Sequence, residues 1–300
     1  MINSIVETNG SEPHPDDFLD NQTYKSMNEA IDFTIVTPSY NYSTYILKCL
    51  DSVRDQEGVT FEHLVYDAGS TDGTLDIIRE YDHVDLTVEP DKGMSDAINK
   101  GFKAAKGKWV MWLNTDDYLL PGALVKVKAF AEQQKQADVI YGCWNFIDGD
   151  GAYQRTMNVY PLKKMMLAHL CYIASTATFY RRETVMAEGH LLNVRFKYVM
   201  DGEYYNRLIQ AGKKFVYLPE VLADFRLHGN NLSHKHLRAK SIDEQLDVQL
   251  QFAESRAIRR TYARQLASNE QINSAIDCFL HYAFKVQRQF LVRMNRPRKS

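Results

Sequence analysis

The sequence predicts an α/β protein with a mostly parallel central sheet and helices on both faces, and three observations predict it. Short runs of strand-forming residues alternate with stretches of helical spacing over residues 32–142, the rhythm of successive βαβ units. The run Trp109-Val110-Met111-Trp112-Leu113 shows no apolar/polar alternation, which marks a strand buried on both faces. Acids follow the strand-like runs at Asp67, at Asp91 and at Asp116-Asp117. That places carboxylates at the edge of an open sheet where ligands bind.

The elements follow in order. Residues 1–31 are polar, contain proline and lack periodicity, so they read as a flexible arm. Residues 33–37 form a first strand, stopped at Pro38-Ser39-Tyr40-Asn41; Tyr45, Ile46, Cys49, Leu50 and Val53 then give 43–55 helical spacing. A second strand over 61–66 ends at Asp67-Ala68-Gly69-Ser70-Thr71-Asp72-Gly73-Thr74, where Asp72 or Thr71 can cap a helix over 74–81. A third strand over 84–88 leads to Glu89-Pro90-Asp91-Lys92-Gly93, and a helix over 95–105 stops at Lys106-Gly107. After the strand at 109–113 come a helix over 122–134 and a strand over 139–141. A hairpin over 145–148 and 152–157 follows, with helical spacing at 161–170 and a strand at 175–180. A helix over 200–211 ends at Gly212, and two strands, 215–218 and 221–225, flank Pro219. From residue 235 the chain is helical in pattern.

Composition narrows the function. No run approaches the roughly 18 apolar residues that span a bilayer, and the acidic N-terminus has no signal-peptide core. The chain is therefore expected in the cytoplasm, and the sequons at Asn21, Asn41 and Asn231 read as chance matches. The four cysteines (Cys49, Cys143, Cys171, Cys278) are scattered, which suits buried thiols and offers no zinc site. Gly101 to Lys108 imitates a phosphate loop, but it has one residue too many between its glycines and follows a helix. No G-x-G-x-x-G fingerprint follows any strand. Something else, such as a carboxylate-held metal, must then neutralise any diphosphate.

Two acidic pairs stand out. Asp116 and Asp117 are costly neighbours unless a cation or donor shares their field; the alternative is a helix cap, with Asp117 ahead of Pro121. Asp201 and Glu203 project about 200° apart on a helix, so only one of them can face a given cleft; the alternative is an acidic first turn favoured by the helix dipole. The loop Arg226 to His234 is dense in anion- and metal-binding groups. Over 255–300 ten Lys/Arg stand against two acids, interleaved near the end with Phe279, Phe284 and Phe290. Such a helix can lie on an anionic membrane at the inner face or pack on the domain. No nucleic-acid module accompanies the charge, and no nucleic-acid partner is expected.

The motifs Val36-Thr37-Pro38-Ser39-Tyr40-Asn41, Asp67 to Thr74, Glu89 to Gly93 with Asp96 to Gly101, and Leu113-Asn114-Thr115-Asp116-Asp117 occur in that order. In this they resemble the family-2 glycosyltransferases of the GT-A fold. The likeness is greatest to the bacterial members that build O-antigen, capsule or exopolysaccharide, and it covers residues 32–234. It implies a nucleotide-binding half (32–142), an acceptor-side half (143–234) and a C-terminal extension (235–300). It also implies transfer of a sugar from a nucleotide-diphosphate-sugar, commonly a UDP-sugar, to a glycan or lipid-linked saccharide acceptor, with inversion. By the same resemblance Thr37, Pro38 and Tyr40 line the nucleotide, Asp67 hydrogen-bonds the base or ribose, Asp96 approaches the base, and Asp116 sits near the ribose and donor sugar. Asp117 ligates Mg2+ or Mn2+, with Asp116 the alternative. Arg226 and His228 lie near the diphosphate or metal, and Asp201 is the general base, with Glu203 the alternative. At Ala68 many relatives carry a second acid. Two other functions are weighed against this one. A sugar nucleotidyltransferase needs a glycine-rich basic loop where this chain has Pro38-Ser39-Tyr40-Asn41. A non-catalytic scaffold of a polysaccharide-assembly complex has no need of Asp67, Asp117 and Asp201 together.

Overall fold

The computed structural model describes residues 30–228, 231 and 242–263. Its strands are β1 (Phe33–Ser39), β2 (Phe61–Asp67), β3 (Val84–Val88), β4 (Trp109–Trp112), β5 (Tyr118–Leu119), β6 (Val139–Ile147), β7 (Tyr153–Met157), β8 (Thr178–Arg181) and β9 (Phe215–Arg226). Its helices are α1 (Ile46–Arg54), α2 (Thr74–Arg79), α3 (Met94–Ala104), α4 (Ala123–Gln133), α5 (Lys164–His169), α6 (Met200–Gln210) and α7 (Ile242–Ile258). The strands make one sheet in the order β3-β2-β1-β4-β8-β6-β9-β5, with β7 beside β6. β1 to β4, β6 and β9 run one way, while β5, β7 and β8 run the other. The sheet is mostly parallel, as expected of an α/β fold.

Burial explains the strands. All seven residues of β1 are buried, as are all four of β4, because helices cover both faces. β3 at the sheet edge is only partly covered. α1 turns Ile46, Cys49, Leu50 and Val53 inward, the spacing of a helix lying on a sheet. Trp112 stacks on Tyr180 at 5.5 Å, and Phe102 and Tyr204 pack against the pair. The glycines of the false phosphate loop have packing roles. A Cβ on Gly101 would come within 2.3 Å of Val36, and one on Gly107 within 2.5 Å of the Phe33 backbone.

Several boundaries differ from expectation, each for a physical reason. β1 runs through Pro38 to Ser39, because the β1–β4 ladder ends at Val36 opposite Trp112. Pro38 lies on that same side of the strand, so its missing N–H leaves no gap. β9 is one strand rather than two. Pro219 falls in a bulge against β6, between the pairs Tyr141–Tyr217 and Cys143–Val221, and the bulge presses so closely on Gly142 that a Cβ there would lie 2.5 Å from Leu222. Residues 175–177 form a tight helical turn ahead of β8 rather than part of a strand. The short strand β5, which the sequence did not announce, separates Asp117 from α4, whose cap is Gly122 at φ 70°. The helix-cap alternative for Asp117 therefore does not apply. Asp72 does act at the start of α2, accepting the Thr74 N–H at 3.1 Å. Cys49 and Cys143 are buried free thiols, but Cys171 is exposed, contrary to expectation.

The order β3-β2-β1-β4 makes the chain reverse direction of progress between β1 and β4. In open α/β sheets that switch point opens a crevice at the carboxyl ends of the strands. Of the C-terminal extension, α7 and a wider helical turn at Arg259–Ala263 are described. Ile258, Tyr262 and Ala263 pack on Ala168, Phe196 and Val199. The basic stretch proposed to meet a membrane lies almost wholly outside the described residues, as does the N-terminal arm. Among the described residues no helix is long and apolar enough to cross a membrane.

Candidate active site

A cavity of about 580 Å³ opens at that crevice, within the size range of small-ligand sites. The end of β1 and the segments that follow β1, β2, β3 and β4 supply one part of its wall through Pro38, Tyr40, Ala68, Asp91 and Asp116. Ser175, Lys197, Tyr198, Met200 and Asp201 supply another.

The two adjacent acids differ in environment. Asp116 lines the cavity; Asp117 does not, and is only 1% exposed. Asp117 is fully engaged: Oδ1 accepts the Arg226 backbone N–H at 3.0 Å, and Oδ2 accepts Thr176 Oγ1 at 3.0 Å and Asn114 Nδ2 at 3.2 Å. Burial, and then the charge of Asp116, push the Asp117 carboxyl well above the usual carboxylate range, while these three donors pull it back. Asp116 Oδ2 meets His228 Nε2 at 2.8 Å and Asn231 Nδ2 at 3.2 Å, and no hydrogen bond reaches its Oδ1 among the described residues. Asp117, to which the resemblance gives the metal, therefore faces into the protein, and its alternative, Asp116, faces the cavity. The turn after β4 points Asp116 into the cavity and Asp117 into the protein, because β5 pairs with β9 and draws Asp117 onto Arg226.

Arg226 touches the acidic turn from behind. It is 3% exposed and lies behind the wall. Its Nε donates to the Asp116 carbonyl at 3.0 Å and its Nη1 to the Gly149 carbonyl at 2.9 Å, with the rings of Tyr45 and Tyr118 beside the guanidinium. Arg226 therefore braces the acidic turn. His228 reaches the cavity acid itself, through Asp116.

On the nucleotide side Pro38 and Tyr40 line the cavity, and Thr37 lies beneath them in hydrogen bonding with His63. Burial pushes His63 down to about 3, so that ring is neutral. Asp67 is not on the wall. Its oxygens accept Gly69 N–H, Ser70 N–H and Ser70 Oγ, which close its own loop, and the next residue, Ala68, faces the cavity. Asp96 likewise turns to the Lys92 N–H, and Asp91 takes the wall position. Sequence reasoning set Asp91 at the ligand-binding edge of the sheet without giving it a role, and missed Ser175, Lys197 and Tyr198, which carry no motif at all. Asn231 sits in the loop marked as rich in ligand groups, but nothing tied it to Asp116.

Of the second acidic pair, Asp201 lines the cavity, and Glu203 points away. Glu203 is 3% exposed and is held by Arg207 Nε at 2.9 Å and Tyr262 Oη at 3.0 Å. Burial raises Asp201 from 3.8 to about 6 against the opposing pull of nearby backbone N–H groups.

The residues present fit a divalent cation. Asp116 offers an open carboxylate oxygen, and the Asn114 Oδ1 is a buried acceptor with no donor, on the wall of the same cavity. Hard cations take such oxygens, and one or two protein carboxylates suffice where phosphate and water complete the shell. No group of three His, Cys, Asp or Glu residues gathers as a self-sufficient metal site among the described residues.

Comparisons with known proteins give the family and the fold. The sequence profile for Glycosyl transferase family 2 matches residues 34–224. A PGL/p-HBAD biosynthesis glycosyltransferase of Mycobacterium bovis is 29% identical over 184 residues, 57% of this chain and 67% of that protein. The chondroitin synthase of Pasteurella multocida is 29% identical over 218 residues, 68% of this chain but 21% of that protein. Among solved structures, S. aureus TarS 1-349 in complex with UDP is similar with a TM-score of 0.57 at 21% identity, over 78% of this chain and 73% of that one. The mannosyltransferase PcManGT from Pyrobaculum calidifontis, in complex with GDP-Man and Mn2+, gives 0.52 at 14% identity, over 88% and 84%. At these identities the structural likeness is one of fold, the GT-A type of α/β fold.

Proposed function

The chain belongs to glycosyl transferase family 2, and from that premise we propose that it moves a sugar from a nucleotide-diphosphate-sugar, first of all a UDP-sugar, to an acceptor hydroxyl with inversion. The observation that carries the reading is the presence of Asp116, beyond β4, and Asp201, in the first turn of α6, on the wall of one cavity. The two acids have separate tasks. Asp201 takes the proton of the acceptor hydroxyl as that oxygen attacks the anomeric carbon from the face opposite the diphosphate. The bond from that carbon to the diphosphate breaks, and its electron pair leaves with the nucleotide. With a pKa of about 6, Asp201 is ionised at neutral pH and is a stronger base than an exposed aspartate. Asp116, oriented by His228 and Asn231, marks the diphosphate end. Asp116 and the Asn114 amide oxygen would hold Mg2+ or Mn2+, which would supply positive charge against the growing negative charge of the leaving group. Pro38, Tyr40, Ala68 and Asp91 border the space for the nucleoside.

A UDP-sugar is favoured as donor because TarS has been solved with UDP and with UDP-GlcNAc; the GDP-Man complex of PcManGT makes GDP-sugars the next to try. The names of the relatives support an acceptor in cell-surface glycan assembly, either a glycan or a lipid-linked saccharide. An anionic membrane surface as partner of the basic C-terminal stretch belongs to the same proposal, and co-sedimentation with anionic vesicles tests it. The reading itself is tested with a panel of UDP-, GDP- and dTDP-sugars, Mn2+ and oligosaccharide acceptors. Release of nucleoside diphosphate and the anomeric configuration of the product are measured. Consumption of one donor class with inverted product is expected; retention of configuration, or no donor consumed across the panel, overturns it.

A further inference from the structure

The acceptor-side wall is tied down from outside the family's matched span, which ends at residue 224. Residues 197–199 precede α6, and Lys197, Tyr198, Met200 and Asp201 all line the cavity. Three successive backbone N–H groups of that segment donate to one carboxylate on α7. Lys197 and Tyr198 reach Glu254 at 2.8 Å each, and Val199 at 3.2 Å. Val199 is the cap residue of α6, whose first N–H groups have no partner within the helix, and Lys197 and Tyr198 lead into it. A carboxylate there is also favoured by the helix dipole. α7 makes further ties. Tyr198 Oη donates to Asp247, and Lys197 Nζ lies 3.7 Å from the same carboxylate. Ile258 Cδ1 lies close against Gly202, 3.8 Å from where a Cβ there would stand. Beyond α7, Tyr262 Oη donates to Glu203 at 3.0 Å, two residues past Asp201.

We infer that Glu254 is a positioning residue for the transfer reaction: its carboxylate clamps residues 197–199 and so fixes the acceptor wall and the angle at which α6 presents Asp201. The inference rests on Asp201 being the base. A loss at Glu254 leaves the nucleotide side of the cavity untouched, because Pro38, Tyr40, Ala68 and Asp116 come from other elements. The expected signature is therefore a slower chemical step at unchanged donor affinity. It also includes a change in the proton affinity of Asp201, since the packing of that wall sets how far the carboxylate is desolvated. Cys171, Tyr180 and Tyr205 face Asp201 from the neighbouring elements and Lys197 shares its wall; none of them changes identity in the test.

The test compares full-length Glu254→Ala and Glu254→Gln with the wild type and with Asp201→Asn. It reads single-turnover rate at saturating UDP-sugar and Mn2+, donor Kd by calorimetry, and the pH dependence of the rate. Glu254→Ala is expected to slow turnover about 10- to 100-fold, the scale of a misplaced catalytic group. Donor Kd should not change, and the acid limb should move below its wild-type position. Glu254→Gln, which keeps an acceptor oxygen, should lose less, and it carries the test if the alanine variant does not fold. Wild-type turnover in both variants overturns the inference, as does a loss seen only in donor Kd with an unmoved acid limb. Wild-type turnover in Asp201→Asn strikes the base assignment instead. An inactive Asp201→Asn beside fully active Glu254 variants strikes the clamp alone.

Discussion

The two sides of the cavity are built by different means. On the nucleotide side the acids close their own loops. Asp67 bonds residues 69 and 70, Asp72 bonds 74, Asp91 bonds 93 and Asp96 bonds 92. Around the reacting acids the partners come from far along the chain. Arg226 reaches Asp117 and Asp116 across 109 and 110 residues, Thr176 reaches Asp117 across 59, and Glu254 reaches Tyr198 across 56. Short-range closure frames the nucleotide side, and the loops after β1 and β2 are also tied to each other, where Asp72 accepts the Ser43 N–H and Asn41 Oδ1 accepts the Thr71 N–H. Long-range closure makes the geometry of Asp116 and Asp201 a property of the whole fold, so distant substitutions should reach the chemistry on that side only.

The largest expected break in this contrast is Asp201→Asn. Turnover should fall on the order of 10²–10⁴-fold, the worth of a general base, with donor binding kept; Glu203→Gln should leave the chemistry largely intact. In the wild type, activity should rise with pH through about 6 and level off above, because the base works only when ionised. The sign for stability is the reverse. A carboxyl at about 6 in the folded chain, against 3.8 ordinarily, favours the fold only when protonated, so stability is lost as pH rises from about 3.8 to 6. Asp201→Asn should therefore melt higher than wild type at pH 8, with the gap closing toward pH 4, as followed by thermal denaturation.

Next in size is Arg226→Met. It leaves the Asp116 and Gly149 carbonyls without their donor, so chemical denaturation should show a loss of about 3 kcal/mol, with donor binding weakened through Asp116. The smallest effect belongs to the nucleotide side. Asp96→Ala removes one partly exposed bond to Lys92 and should cost about 1 kcal/mol with an unchanged donor Kd. A large loss of donor affinity in Asp96→Ala would show that loop acid to be a ligand after all.

The same contrast explains what could be read in the sequence. Turn chemistry is local, so the loops after β2 and β3 were legible, and so was β4, whose apolar run needs no partner to be recognised. The face each acid shows was not legible. Ala68 rather than Asp67, and Asp91 rather than Asp96, reach the wall because those carboxylates prefer their own backbone N–H groups. The order of Asp116 and Asp117 depends on β5 pairing with β9, and neither that two-residue strand nor its partner's register leaves a periodic signal. On α6 the spacing showed that Asp201 and Glu203 must diverge, and the family resemblance named Asp201; Arg207 and Tyr262, which hold Glu203 away from the cavity, left no signal. Glu254 stands in an ordinary helical stretch, and no pattern there announces three backbone bonds to a loop.

The central claim is that Asp116 serves the diphosphate while Asp201 serves the proton. Calorimetric titration of the UDP-sugar with and without Mn2+ into Asp116→Asn, beside Asp201→Asn, tests it most directly. Asp116→Asn should lose the Mn2+-dependent part of donor affinity, and Asp201→Asn should bind as the wild type does. Full Mn2+-dependent affinity in Asp116→Asn would contradict the account.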